Sequence, residues 1–151
     1  MNHISSLITP DTILLDLSFS SKRHLFEHAG NIFSQQQHLK ASDIFNSLSE
    51  REELGSTALG YGIAIPHGRI KGLSQAAGML YRLQTPLEFD APDTKPVTLC
   101  FILLVPKEAN EKHLQILGEL AQLFGDEAMR SRMLTAQNSA ELHALITAWA
   151  A

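Results

Sequence analysis

The sequence predicts a single α/β domain built on a mixed β-sheet with helices on both of its faces. Segments with a helical spacing of apolar residues come before, between and after segments that resemble strands. Residues 97–105 are almost uniformly apolar, which is typical of a central strand that is covered on both faces. No crossover helix lies between this run and the strand predicted at residues 76–83, so the sheet is expected to be mixed. With 151 residues, 44% of them hydrophobic, we expect one domain over residues 1–151.

The first third of the chain predicts one strand followed by two helices. Ile13–Leu17 resembles a short strand, and an amphipathic helix is predicted to open at Ser20. A second helix is predicted over Ala41–Glu53, with Ser42 as its cap and Gly55 ending it. The apolar stripes of the two helices are Leu25, Ala29, Ile32 and Phe33, and Ile44, Phe45 and Leu48.

The middle of the chain presents a histidine in an unusual setting. A glycine-rich loop is predicted over residues 56–65, leading into an extended segment that ends at Pro66. Pro66 fixes its own backbone and Gly68 carries no side chain, so the His67 imidazole is expected to be exposed at a strand end. An imidazole with a pKa near 6.5 is mostly neutral at pH 7, and its unprotonated nitrogen can attack phosphorus. A simple Pro-His-Gly turn is the alternative.

The last third predicts three helices. After Pro106 the pattern becomes helical, with Asn110 as the cap and Gly125 as the end. Two shorter helices are predicted at Glu127–Thr135 and at residues 140–150. The apolar stripe of the first helix is Leu114, Leu117, Leu120, Ala121 and Phe124.

His113 lies in the first turn of that predicted helix. Backbone N–H groups are unpaired there, and the positive end of the helix dipole favours an anion such as a phosphoryl group. The same dipole disfavours a protonated imidazole, so it is expected to help keep a nearby histidine neutral. A surface histidine without a chemical role is the alternative.

The composition argues against several classes of function. The formal net charge is −4 and no segment concentrates Lys and Arg, so no nucleic-acid partner is expected. The longest apolar run is too short to cross a bilayer, and the N-terminal segment lacks the pattern of a signal peptide. We therefore expect a cytoplasmic protein with no membrane insertion. The single cysteine, Cys100, is expected to be a buried apolar residue.

Other chemical motifs are weak or missing. His24 and His28 frame an HxxEH pattern found in one class of zinc peptidases, but the apolar stripe places both on the flank of the helix or towards solvent. A catalytic zinc also needs a third ligand, and nothing later in the sequence suggests one. Neither a phosphate-binding glycine loop nor a GxSxG motif is found. Neighbouring carboxylates such as Glu52 and Glu53 are expected to be surface charges.

Two segments carry a specific family resemblance. GSTALGYGIAIPHGR (residues 55–69) and LCFILLVPKEANEKHLQIL (residues 99–117) closely resemble the enzyme IIA domain of the mannitol/fructose class in the bacterial phosphoenolpyruvate-dependent phosphotransferase system. The nitrogen-regulatory branch is the best match, and the resemblance runs over essentially the whole chain. It implies a PTS EIIA type-2 domain over residues 1–151, with a mixed β-sheet flanked by helices.

The resemblance also implies roles for three residues. His67 matches the histidine that accepts a phosphoryl group from a phosphorylated histidine of a small phosphocarrier protein. His113 matches a second active-site histidine, which is implied to hydrogen-bond the phosphorylated imidazole or the phosphoryl group. Arg51 matches an arginine implied to help in phosphoryl transfer or acceptor recognition. The resemblance implies no cofactor and no metal at this step.

The use of the phosphoryl group is left open by the sequence. A sugar-specific enzyme IIA passes the group to the EIIB domain of a transporter, whereas a nitrogen-regulatory one changes which target proteins it binds. The overall resemblance favours the regulator, and the end of the chain after its last helix fits a stand-alone unit. A binding-only module that has lost phosphoryl transfer is the third alternative. In a regulator, the phosphoryl group would place negative charge on His67 among apolar residues such as Ile63 and Ile65. This charge is expected to repel a partner that binds the same surface when it is neutral.

Overall fold

The computed structural model describes residues 2–108 and 111–150. Two short 3₁₀ turns, Ile4–Ser6 and Pro10–Thr12, precede the regular elements. The strands are β1 (Ile13–Leu17), β2 (Ala58–Gly60), β3 (Ile63–Ala64), β4 (His67–Ile70), β5 (Ala77–Leu87) and β6 (Val97–Pro106). The helices are α1 (Lys22–Gln37), α2 (Ala41–Glu53), α3 (Glu111–Gly125), α4 (Glu127–Thr135) and α5 (Ser139–Ala148).

The strands form one mixed sheet. Their order is β1-β5-β6-β3-β2, and β4 also pairs with β6. β5 and β6 are antiparallel, as are β2 and β3, whereas β1 runs parallel to β5 and both β3 and β4 run parallel to β6. The predicted mixed sheet is therefore confirmed, including the antiparallel step between two strands without a crossover helix.

Helices cover both faces of the sheet, as predicted. One core lies between the sheet and α1 and α2, and it contains Cys100, Ile102 and Leu104 of β6. The other core lies between the sheet and α3–α5, and it contains the alternate residues Phe101 and Leu103. Because successive side chains of a strand point to opposite faces, β6 must be apolar at nearly every position to serve both cores. The expectations of a central strand and a buried Cys100 are confirmed.

β3 and β4 are two halves of one interrupted strand. Ile63 pairs with Leu99, and His67 pairs with Leu103, so the register along β6 is the same on both sides of the interruption. The carbonyl of Pro66 accepts a hydrogen bond from the N–H of Leu103 at 2.9 Å. The prediction that the extended segment ends at Pro66 is wrong, because only the one N–H that proline lacks is lost and the pairing with β6 resumes at His67 in the same register.

A short hairpin replaces part of the predicted loop at residues 56–65. β2 and β3 are joined by Tyr61 and Gly62, whose φ angles of 58° and 79° are both positive. Two positive φ angles give the type I′ turn that matches the twist of a two-residue hairpin. Asp93 stabilises the turn, because its carboxylate accepts a hydrogen bond from the Tyr61 N–H at 2.9 Å.

The predicted helix bounds agree with the structure more closely than the predicted capping residues do. Ser21 caps α1 by accepting a hydrogen bond from the backbone of His24. The prediction of Ser42 as the cap of α2 is wrong, because the N-cap is Lys40 and its side chain makes no capping bond. Asn110, the predicted cap of α3, lies outside the described residues. In the described part of the chain, no helix is long and apolar enough to cross a membrane.

Candidate functional site

His67 is the first residue of β4 and is half-buried. Its partner Leu103 belongs to the core between the sheet and α3–α5. Residues that pair across neighbouring strands share a face of the sheet, so the His67 imidazole lies on the face that carries α3. The imidazole therefore stands at the beginning of a strand on the same face as the helix of His113.

The hydrogen bond at Nδ1 of His67 determines which ring nitrogen is nucleophilic. Nδ1 lies 2.9 Å from the carbonyl oxygen of Ile65. A carbonyl oxygen can only accept, so Nδ1 must carry the proton and donate it. In the neutral ring, Nε2 then holds the in-plane lone pair. The ring is held by its own backbone in the tautomer that a nucleophile at Nε2 requires.

The surroundings of His67 lower its pKa below the ordinary value of 6.5. Burial is the largest cause, and the electrostatic influences of Arg51 and His113 act in the same direction. The Ile65 hydrogen bond and the Glu52 carboxylate oppose them. The net result favours the neutral form of the imidazole at pH 7, which is the nucleophilic form. Burial is the dominant cause.

Arg51 occupies the last turn of α2 and is half-buried. Its Nη1 donates a hydrogen bond to the carbonyl oxygen of Gly55 at 2.9 Å, which holds the guanidinium back against the end of its own helix. Its charge nevertheless acts on His67. Arg51 thus supplies a fixed positive charge near the imidazole, and its planar fork of N–H donors suits phosphoryl oxygens.

His113 is the third described residue of α3 and is half-buried. It lines a cavity of about 630 Å³ together with Gln75, Pro106 and Lys112. His113 is one of the groups whose electrostatic influence lowers the pKa of His67, although the two histidines are far apart in sequence. Arg51 acts on His67 in the same direction, so all three predicted residues contribute to the electrostatics of this region.

Gly68 packs closely against α2. A Cβ atom at this position would lie 2.3 Å from Oγ of Ser47 in α2 and 3.1 Å from its Cβ. Gly68 is buried, so a side chain there would have to move the Ser47 hydroxyl and overpack the contact between β4 and α2. The His67 imidazole was expected to be exposed but is half-buried, and the missing side chain of Gly68 makes room for α2.

Glu52 is a buried carboxylate next to Arg51 that the sequence interpretation did not single out. It was expected at the surface, but it is only 9% exposed. Its carboxylate accepts hydrogen bonds from Lys22 and from both the N–H and the hydroxyl of Thr57. The sequence contains a pattern that indicates this burial, because Glu52 follows the buried residues Ile44 and Leu48 at steps of four residues on the same face of α2.

The apolar surface near the site also differs from the expectation. Ile63 and Ile65 were expected to surround the histidine at the surface, but they are 1% and 4% exposed and belong to the core. Exposed apolar side chains among the described residues include Leu54 at the end of α2, which is 86% exposed, and Leu114, which follows His113 and is 62% exposed. Leu54 and Leu114 are thus close in sequence to Arg51 and His113.

The HxxEH residues serve the structure of α1. His24 is exposed, and His28 is half-buried, with Nδ1 placed 2.8 Å from the Tyr81 hydroxyl. Phe19 packs edge-on against both histidines. The expected placement on the flank of the helix or towards solvent is confirmed.

Known proteins resemble this chain over most of its length. The nitrogen regulatory protein of Pseudomonas aeruginosa is 35% identical over 147 residues, which cover 97% of this chain and 96% of that protein. The solved structure of the nitrogen regulatory protein IIA-Ntr from Neisseria meningitidis matches with a TM-score of 0.91 and 43% identity, covering 95% of this chain and 98% of that one. The fructose-specific EIIA component of Haloferax volcanii is 38% identical over 93 residues, which cover 62% of this chain and 60% of that protein.

The family model agrees with these likenesses. The model of the phosphoenolpyruvate-dependent sugar phosphotransferase system, EIIA 2, matches residues 6–149, and so includes the three predicted site residues and the whole sheet. The chain belongs to this EIIA type-2 family, in its nitrogen-regulatory branch.

Proposed function

We propose that this protein accepts a phosphoryl group on Nε2 of His67 from the phosphohistidine of a phosphocarrier protein, and that its phosphorylation state determines which partners it binds. The observation that carries the proposal is the hydrogen bond from Nδ1 of His67 to the Ile65 carbonyl, which leaves Nε2 as the nucleophile. The names of the relatives support a regulatory role. We take residues 1–151 as the functional unit.

The transfer is a displacement between two imidazoles. The Nε2 lone pair of His67 forms a bond to phosphorus while the bond from phosphorus to the donor nitrogen breaks, and the donor nitrogen keeps that electron pair. The proton on Nδ1 of His67 does not move, so the phosphorylated ring is positively charged beside the anionic phosphoryl group. Donor and product are both phosphoramidates, so the step is nearly balanced in free energy. Positioning of the two partners then accounts for most of the rate enhancement.

Arg51 and His113 are proposed to stabilise the phosphoryl group during this displacement. The negative charge of the group stays on its three non-bridging oxygens, where N–H donors and positive charge lower the energy of the transition state. One charge-assisted hydrogen bond contributes about 1.5–3 kcal/mol. Since about 1.4 kcal/mol is a factor of ten, the loss of either side chain should slow transfer by roughly tenfold or more.

Phosphorylation would change the surface that partners meet. It adds about 1.5–2 negative charges to the ring. We infer that the docking surface includes the exposed Leu54, at the end of the helix of Arg51, and the exposed Leu114, next to His113 in sequence. A partner that buries these leucines against the neutral protein would have to bury the phosphoryl charge as well, which is unfavourable unless the partner supplies cations. The proposed regulator therefore binds its targets in the unphosphorylated form.

The alternative function is that of a sugar-specific EIIA protein that passes the phosphoryl group to an EIIB domain. It is favoured by the likeness to a fructose-specific EIIA component, which is 38% identical but covers 62% of this chain. The likeness to nitrogen regulatory proteins extends over 97% of the chain, and we prefer the regulatory function for that reason.

Phosphoryl transfer is tested by incubating the protein with phosphoenolpyruvate, the general phosphotransferase enzyme and its phosphocarrier, followed by intact mass spectrometry at neutral to alkaline pH. The parent should gain one acid-labile phosphoryl group. His67→Ala should gain none, and His24→Ala, which removes an exposed histidine of α1, should behave like the parent. A parent that stays unmodified beside an active donor, or a His67→Ala variant that is modified, contradicts the proposal.

The regulatory half is tested by comparing the proteins retained by the phosphorylated parent, the unphosphorylated parent and His67→Ala. The unphosphorylated parent and His67→Ala should retain the same partners, and the phosphorylated parent should lose them. Equal retention by all three forms would remove the charge-dependent switch. Retention of an EIIB domain, followed by loss of the phosphoryl group to it, would favour the sugar-specific alternative.

A further inference from the structure

Glu52 is a buried carboxylate at the end of α2, next to Arg51. Oε2 accepts hydrogen bonds from Nζ of Lys22 and from the N–H of Thr57, both at 3.1 Å, and Oε1 accepts one from the Thr57 hydroxyl at 2.5 Å. Lys22 also lies 3.4 Å from the exposed carboxylate of Asp90. The charge of Glu52 is therefore paired, and both of its oxygens are used.

Stability alone is a weak reason for this arrangement. Removal of a carboxylate and a lysine from water is costly, and well-packed apolar residues stabilise such positions at least as well. Glu52 follows Ile44 and Leu48 on the buried stripe of α2, where an apolar residue would continue the core. Its place beside the functional site points instead to a part in the chemistry of His67.

A short series of hydrogen bonds connects Glu52 to His67. Thr57, which Glu52 holds at two points, accepts a hydrogen bond through its carbonyl from the N–H of Ile65 at 3.1 Å. The carbonyl of Ile65 then accepts the Nδ1 proton of His67 at 2.9 Å. Thr57 and Ile65 thus form the backbone link between the buried carboxylate and the reactive ring.

We propose that Glu52 is a positioning residue for His67, which acts through Thr57 and Ile65 to keep the proton on Nδ1 and the lone pair on Nε2. The inference rests on the proposed function, because a fixed tautomer matters only if Nε2 of His67 is the nucleophile. The tautomer itself can be measured without phosphoryl transfer. The effect is similar to that of the groups that hold the second nitrogen of metal-bound histidines and fix their tautomer.

The charge of Glu52 acts in the same direction as the hydrogen bonds. When Nε2 bonds to phosphorus while Nδ1 keeps its proton, the ring becomes positively charged, as it does on protonation. Glu52 raises the pKa of His67, whereas Arg51 and His113 lower it. A carboxylate that favours the protonated ring also favours the phosphorylated ring, so Glu52 offsets the opposing influence of Arg51 and His113 on the His67 ring.

The test uses ¹⁵N-histidine NMR of the unphosphorylated full chain across the pH range. Glu52→Gln keeps the shape of the side chain and removes its charge. The matched control is Glu53→Gln, which removes an exposed carboxylate one residue away. In the parent and the control, the ¹⁵N shifts of neutral His67 should show a proton on Nδ1. In Glu52→Gln, the pKa of His67 should fall and part of the population should carry the proton on Nε2.

Thr57→Val provides an independent variant in case Glu52→Gln does not fold. It removes the hydroxyl that bonds to Glu52 and leaves the charge in place. The population with the proton on Nδ1 should fall, and phosphorylation from the phosphocarrier should slow by on the order of tenfold in both variants. An unchanged tautomer in whichever of the two variants folds overturns the proposal, as does an equal pKa shift in Glu53→Gln.

The two hypotheses fail in different ways. If the NMR effects occur but the parent accepts no phosphoryl group from an active donor, the positioning role stands and the proposed function fails. If the parent is phosphorylated on His67 and Glu52→Gln shows the parent's tautomer, pKa and rate, the function stands and the role of Glu52 fails.

Discussion

Gly68→Ala separates two explanations for the glycine that follows the reactive histidine. If the glycine only gave a partner access to His67, the substitution would weaken docking and leave the free protein as stable as before. In the structure, a Cβ at position 68 would lie 2.3 Å from Oγ of Ser47, 3.1 Å from its Cβ and 3.2 Å from its carbonyl carbon. The free protein should therefore be destabilised.

The magnitude follows from the atoms that must move. The Ser47 hydroxyl can rotate away only by giving up its 3.0 Å hydrogen bond to the Arg69 carbonyl, which costs about 0.5–1.5 kcal/mol. The remaining contacts with Cβ and the backbone of Ser47 are overpacked, at about 1–3 kcal/mol. The reduced freedom of the unfolded chain offsets about 0.4–1 kcal/mol. Gly68→Ala should lower the free energy of unfolding by about 1–3 kcal/mol.

Urea denaturation measures this change directly, as a lower midpoint with an unchanged slope. Gly118→Ala in α3 is the matched control, because nothing lies within 4 Å of its added Cβ, and it should stabilise the protein by about 0.5–1 kcal/mol. In a Ser47→Ala background, Gly68→Ala should cost less, because the hydroxyl clash is gone. A free energy of unfolding within about 0.5 kcal/mol of the parent would refute the packing explanation.

Three further predictions concern other parts of the molecule. Arg82→Met should lower the free energy of unfolding by about 1.5–3 kcal/mol, because Arg82 donates hydrogen bonds to the carbonyls of Met133 and Ala136 at 3.0 and 2.8 Å. An unchanged midpoint of urea denaturation would contradict this. The NMR titration of His67 should have its midpoint below 6.5, because burial lowers its pKa, and a midpoint at or above 6.5 would disprove the proposed environment. Because the pKa of His67 is lower in the folded protein, the unfolded chain binds a proton at a higher pH than the folded chain does. His67 should therefore reduce the free energy of unfolding as pH falls through 6.5. His67→Ala should remove this part of the pH dependence in urea titrations. Arg51→Gln should raise the pKa of His67 and slow its phosphorylation roughly tenfold, and a variant with the parent's rate would exclude Arg51 from the transfer.

The sequence predicts the layers of this fold well, because its strongest elements have clear periodicity. β6 is apolar at nearly every position, and α4 has the bounds that were predicted for it. The break at Pro66 was misjudged because proline removes a single N–H from the ladder, and the register along β6 is the same before and after it. Here its carbonyl pairs with Leu103 and the strand resumes at His67.

The motifs single out candidate residues of the site but do not predict their contacts. His67, His113 and Arg51 stand out by motif, whereas the pairing of β4 with β6 and the hydrogen bond of His67 to Ile65 are visible only in the structure. The partners of Gly68 and Glu52 lie on other elements, Ser47 on α2 and Lys22 on α1, and no local pattern records such contacts. Glu side chains are usually exposed to solvent. The position of Glu52 on the apolar stripe of α2 was therefore not enough to predict that its carboxylate is buried.

The most direct test of the central claim locates the phosphoryl group on the ring. The protein would be labelled with ¹⁵N-histidine, phosphorylated by its phosphocarrier at neutral to alkaline pH, and studied by ¹⁵N and ³¹P NMR. The account predicts coupling of phosphorus to Nε2 of His67, with a proton retained on Nδ1 and hydrogen-bonded to the Ile65 carbonyl. A phosphoryl group on Nδ1 or on another residue, or none at all beside an active donor, would contradict it.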